Sequence, residues 1–131
     1  MAEQQPIDTY SNEQIQAYLS LVSFPTSKYP NFSAKTASDE EALEYLTTLQ
    51  KHHLSHVPFE NLDLHYSTSR IVSIDKDDMY QKIVTRNRGR GGYCMQVNLF
   101  FATVLKSLGF ELIATGGRVL IDGGPGKWYV Q

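Results

Sequence analysis

The chain has 131 residues, enough for one modest domain or a small domain with part of another. Its 41% hydrophobic and 20% charged content suits a soluble globular protein, and a net charge of −2 argues against a general nucleic-acid binder. No apolar run approaches the roughly 20 residues that span a bilayer, the N-terminus lacks the basic start and apolar core of a signal peptide, and a single cysteine leaves no intrachain disulfide. A reducing, cytoplasmic setting is the expectation.

Taken in order, residues 1–10 read as a flexible polar tail. Ser11 with Gln14 makes a capping box, and Ile15, Tyr18, Leu19 and Val22 form one helical face that ends before Pro25. Residues 26–36 are loop. A second box, Ser38 with Glu41, starts a helix with Asp39, Glu40 and Glu41 at its N-terminal dipole. Its expected face is Ala42, Leu43, Tyr45, Leu46, Leu49 and His53, with Glu44 placed to meet the following turn. Pro58 restricts Val57 to extended backbone, so this helix has ended by then. The segment HVPFENLDLHY, residues 56–66, has no clean period and predicts an irregular buried loop, with Glu60 and Asn61 bonding backbone groups or an arginine. Ile71, Val72 and Ile74 suit a short strand, and Asp75 or Asp77 caps a third helix through Met79, Tyr80, Ile83 and Val84.

Residues 86–110 carry the chemistry: RNRGRGGYCMQVNLFFATVLKSLGF. A basic, glycine-rich loop precedes Cys94, and Val97, Phe101, Val104, Leu105 and Leu108 repeat at helical spacing up to Gly109, a left-handed cap position. Cys94 therefore falls in or just before the first turn of a buried helix, where orphan N–H groups and the helix dipole favour a thiolate, and the loop's two arginines add positive charge. A lone cysteine is more often an inert buried residue; the loop and the helix start tip the reading towards a nucleophile. Gly91 and Gly92 leave room for a substrate thioester, and first-turn amides can stabilise an oxyanion. His52, His53, His56 and His65 all lie upstream; each reads more readily as a surface or packing residue than as a base, and they fit no zinc pattern. The loop is not a P-loop. Its arginines suit either the phosphates of a cosubstrate or a structural pair with Glu60, the latter favoured for Arg90.

After the helix, residues 110–121 alternate and predict two short strands or one with a bulge at Gly116 and Gly117. DGGPG, residues 122–126, is a turn signal, and KWYVQ begins another strand. The order from helices to β-structure is an α+β order. A sheet that has just begun, with Trp128, Tyr129 and Val130 on an open edge, looks unfinished.

RGRGGYCMQVN (88–98) resembles the active-site signature of the arylamine N-acetyltransferases, in a form close to the fungal members. HLSHVPFENLDLHY (53–66) resembles the family's second signature, and Tyr80, Lys82, Ile83, Val84, LKSLGF and GGRV also fit. The resemblance implies a helical bundle with a cysteine-protease-like core, then a β-barrel domain, then an α/β lid. On this chain it implies a flexible tail at 1–10, a bundle carrying the nucleophile at 11–109 and an incomplete barrel at 110–131, with the lid absent. It implies ping-pong acyl transfer of the kind used on xenobiotic amines. By the resemblance, Cys94 would take the acyl group from acetyl-CoA, or malonyl-CoA as in some fungal relatives, and pass it to an arylamine or hydrazine. Glu60 and Arg90 would form a structural salt bridge beside the site. No permanently bound cofactor, metal, nucleic acid or membrane is implied. The family's triad histidine and aspartate would follow the cysteine, yet no histidine follows His65 and no aspartate follows Asp122. A truncated, catalytically incomplete member is therefore the alternative expectation, and a small anion-binding helical module a more distant one.

Overall fold

In the computed structural model, the residues described are 7–121 and 124–130, with side chains through Gly117. Five α-helices come first: α1 (Asn12–Leu21), α2 (Asp39–His56), α3 (Leu62–Tyr66), α4 (Lys76–Tyr80) and α5 (Cys94–Ser107). An antiparallel hairpin follows, β1 (Gly116–Ile121) with β2 (Gly124–Val130). The fold is mixed and mostly helical; among the described residues there is no barrel and no lid. No described helix is long and apolar enough to cross a membrane.

Both capping boxes form. Ser11 Oγ accepts the Gln14 N–H while Gln14 Oε1 accepts the Ser11 N–H, and Ser38 and Glu41 repeat the exchange. Val57 is extended, at φ −104° and ψ 105°, as Pro58 requires. Asp75 caps α4 through the N–H groups of Asp77 and Asp78. The expected third helix is not uniform: after Tyr80 it widens into a π turn, Gln81–Thr85, in which the Arg86 N–H reaches back to the Gln81 carbonyl. Gly109 takes φ +93°, and the Phe110 N–H closes on the Leu105 carbonyl, so the cap of α5 stands where expected.

The core joins α1, α2, α4, the π turn and α5 through Tyr18, Val22, Leu49, Met79, Ile83, Phe100 and Val104, all at most 2% exposed. Tyr18 and Phe100 meet nearly edge-on at 5.4 Å. Tyr10 is also core rather than tail: its N–H donates to Ser107 Oγ, its hydroxyl donates to the Lys76 carbonyl, and its ring meets Tyr80 and Phe100.

Several expectations fail for identifiable reasons. On α2 the buried stripe is Tyr45, Leu49 and His53, four apart, which leaves Leu43 on the outer side at 65% exposure. Glu44 turns back to Lys28 and Tyr29 in the preceding loop instead of meeting the following turn. On α5 the fully buried side chains are Gln96, Phe100, Thr103 and Val104, a face rotated by about one residue from the predicted one. Polar groups can turn inward there because Gln96 Nε2 donates to the Ser73 carbonyl and Thr103 Oγ1 to the Leu99 carbonyl. Residues 71–74 form no strand; that side-chain bond to Ser73 holds the segment instead of a ladder. In the hairpin, β1 begins only at Gly116, the register shifts between Arg118 and Leu120, and Gly124, Pro125 and Gly126 belong to β2. The rest of the expected turn, Asp122 and Gly123, lies outside the described residues, as do the side chains of Trp128, Tyr129 and Val130.

Candidate active site

Cys94 is the first residue of α5 and is half-buried. Tyr93, the preceding cap residue, offers no side-chain hydrogen bond to the helix; its carbonyl accepts the N–H groups of Gln96 and Val97. The first-turn amides of Cys94 and Met95 have no intrahelical acceptor, so they remain donors for negative charge at the start of the helix.

The turn that carries Cys94 is sewn to the segment after α2. Phe59 and Gly92 form a parallel bridge: the Glu60 N–H donates to the Gly92 carbonyl at 2.9 Å, and the Gly92 N–H donates to the Pro58 carbonyl at 3.3 Å. This contact decides the glycines. A Cβ at Gly91 would stand 1.9 Å from the Pro58 oxygen, and one at Gly92 would stand 2.6 Å from Gln96 Oε1. The close approach that Gly91 and Gly92 permit is thus by the chain's own Pro58 and Gln96, where the sequence suggested a substrate. The segment is held by these polar ties and not by burial, so Phe59 lies 72% exposed, with Leu62 and Leu64 also outside. The expected buried loop is an exposed one that leads into α3.

Charged side chains complete the attachment. Arg90 Nε donates to Glu60 Oε1 at 3.0 Å, and Arg90 Nη2 donates to Asp63 Oδ1 at 2.8 Å. Lys82, from the π turn, reaches Asp63 Oδ2 at 2.5 Å and Glu60 Oε1 at 3.5 Å. Glu60 also accepts the N–H groups of Gly91 and Leu62. The four ions are half-buried and charge-balanced. Burial works to raise the Glu60 and Asp63 carboxyls, but hydrogen bonds and the charges of Lys82 and Arg90 outweigh it and hold both below their ordinary values. The same pairs raise the Arg90 guanidinium. Two of these partners are those expected from the sequence. Sequence reasoning misses the ionic roles of Asp63 and Lys82; the available signal is a carboxylate three residues after Glu60, with a lysine on the helix leading into the glycine loop.

Cluster neutrality changes the expected electrostatics. Of the two loop arginines, Arg90 is spent on Glu60 and Asp63, and only Arg88 stays exposed and without an ion pair among the described residues. None of the four histidines hydrogen-bonds to Cys94. His53 Nδ1 pairs with the Tyr18 hydroxyl at 2.9 Å inside the core, and burial lowers its pKa to about 4. The ring nitrogens of His52 and His56 bond to the carbonyls of Val22 and His52, and His65 lies exposed against the Tyr66 ring. The packing reading of the histidines holds for His53.

An N-acetyltransferase family model matches residues 42–129, which includes the whole of this site. The chain belongs to the arylamine N-acetyltransferase family. It is 40% identical over 114 residues to the N-malonyltransferase FDB2 of Fusarium pseudograminearum, covering 84% of this chain and 33% of that relative. It is 33% identical over 104 residues to the liver isozyme of arylamine N-acetyltransferase from Gallus gallus, covering 79% and 31%. Against arylamine N-acetyltransferase 1 of Oryctolagus cuniculus it is 36% identical over 91 residues, covering 70% and 30%. The chain spans about a third of the length of these curated relatives, which are acyltransferases.

Proposed function

We propose that this chain carries the acyl-accepting half of an acyl-CoA:amine acyltransferase site, with Cys94 as the nucleophile. The observation that carries it is the half-buried cysteine at the uncapped start of α5, on a turn fastened by the bridge to residues 58–60 and by the Glu60–Arg90 pair. In the first half-reaction the Cys94 thiolate attacks the thioester carbonyl carbon, the new S–C bond forms, and the CoA thiolate leaves and takes up a proton. In the second, an arylamine or hydrazine nitrogen attacks the acyl-cysteine, loses a proton, and Cys94 departs as thiolate. Amides of the first turn serve the oxyanion. Glu60 and Arg90 position the turn and touch no reacting atom. Residues 11–109 act as the bundle that presents the nucleophile, and residues 110–131 begin the β-domain. The lone cysteine fits a reducing, cytoplasmic setting.

Both acyl groups have support: the fungal relative's name points to malonyl transfer, and the vertebrate names point to acetyl transfer. Incubating the chain with equal acetyl-CoA and malonyl-CoA, then mapping peptides by mass, separates them. One acyl group on Cys94, absent from Cys94→Ser, is expected; acylation elsewhere or nowhere refutes the assignment.

A second reading has its own observation. Among the described residues no histidine hydrogen-bonds to Cys94, so no base or orienting acid is in place beside it, and working without such partners costs orders of magnitude in rate. A slowly formed acyl-Cys94 that passes its group sluggishly to an added arylamine is the expected behaviour. Steady turnover near that of a complete relative would contradict it.

A further inference from the structure

The polar contacts beside Cys94 do not stop at the Glu60–Arg90 pair, and the extension has a testable logic. Glu60 Oε1 is shared three ways: by Arg90 Nε at 3.0 Å, by the Gly91 N–H at 3.3 Å, and by Lys82 Nζ at 3.5 Å. Asp63 receives the stronger grip of Lys82, at 2.5 Å, and also takes the second arm of Arg90, at 2.8 Å. Lys82 has the most covered side chain of the four, 11% exposed, so its charge cannot escape to water without moving.

We infer that Lys82 and Asp63 are positioning residues for Cys94, acting as a matched pair that keeps Glu60 free to hold Arg90 and the Gly91 amide. The inference rests on the nucleophile reading of Cys94. Its physics is competition for one oxygen. With Asp63 neutral, Lys82 loses its nearer carboxylate and turns to Glu60 Oε1, the atom that fixes Arg90 and Gly91. With Lys82 neutral, Asp63 has Arg90 as its sole cation and draws it off Glu60. Either change shifts residues 90–92, which lie just before Cys94 in the chain, against the tight Pro58 and Gln96 contacts. Removing both charges together leaves Glu60 and Arg90 as a balanced pair, with an amide pair in place of the lost ions.

The test needs no acyl donor. Rates of iodoacetamide labelling of Cys94 are measured in the full chain for Asp63→Asn, Lys82→Gln, the double variant and Lys82→Arg, with circular dichroism and urea unfolding for each. Both single variants are expected to change the folded-state rate by about five- to tenfold, with the double and Lys82→Arg within about twofold of the original chain, as coupled neighbours require. Additive effects in the double variant overturn the inference. So do single variants that lose stability but label at the original rate, the signature of a merely structural pair. Should a single variant not fold, the double variant decides: folded with the original rate supports the pairing, and folded with an altered rate overturns it. Absence of any acyl-Cys94 with acyl-CoA would defeat the proposed function while leaving this coupling intact, so the two failures are distinguishable.

Discussion

Two regions of the chain bury polar groups and treat their charge in opposite ways. Around Tyr18, His53 and Phe100, burial keeps one histidine neutral and lets it share a single hydrogen bond within aromatic packing. Around Glu60, Asp63, Lys82 and Arg90, four ions stay ionised because each has partners, and two backbone bonds join them to the turn of Cys94. Dry packing is non-directional and supplies stability. Ion pairs and backbone bonds are directional, so they fix a turn in place while adding less to stability. The first holds the helices together, and on the proposed reading the second aims Cys94.

That division can be broken from either side. The largest effect expected is from Phe100→Ala, which opens a cavity in the core and should cost about 3–5 kcal/mol in urea unfolding. Where the variant remains folded, the labelling rate of Cys94 should stay close to the original. Acid comes next. His53 has its pKa lowered from 6.5 to about 4 in the folded chain, so between those values the unfolded state binds the extra proton. The neutral ring's contribution is complete above the unfolded value and is lost as pH falls towards the folded one, about 3 kcal/mol in all. Glu60 and Asp63, held below their ordinary values, keep their contribution until lower pH and lose it as pH falls through their folded values. Stability measured against pH should therefore slope downward from about pH 6.5 to 4, and His53→Gln should flatten that interval.

Gly91→Ala attacks the other region. Its methyl would collide with the Pro58 carbonyl, so the Phe59–Gly92 bridge must open, at about 2 kcal/mol. Unlike Phe100→Ala, it should alter Cys94 labelling in chains that remain folded. The smallest effect is at a site belonging to neither region: Ser38→Ala removes one cap of α2 and should cost about 1 kcal/mol with no change at Cys94. Equal labelling changes for Gly91→Ala and Phe100→Ala would erase the distinction between aiming and packing.

Local chemistry was legible in the sequence because it depends on near neighbours. The boxes at Ser11 and Ser38, the stop before Pro58, the cap at Gly109 and the start of α5 at Cys94 follow from residues within a turn of one another. What failed depended on distant partners. Gln96 points inward because Ser73, 23 residues earlier, offers a carbonyl, and that shifts the whole buried face of α5. Tyr10 is core because Ser107 and Lys76 satisfy its polar atoms. Phe59 is exposed because its segment is held by backbone bonds to Gly92, which no apolar period announces. Within the site, the pairing of Glu60 with Arg90 was legible from position, with the resemblance pointing the same way, whereas the joining of Asp63 and Lys82 needed three separate segments brought together.

The most direct test of the account is the rate at which Cys94 reacts with iodoacetamide in the folded chain and in the same chain unfolded in urea, at one neutral pH. A nucleophile presented at the uncapped start of α5 should label in the folded state at least as fast as in the unfolded state. Labelling that is much slower in the folded chain and rises only on unfolding would contradict the account and make Cys94 a packed, inert side chain.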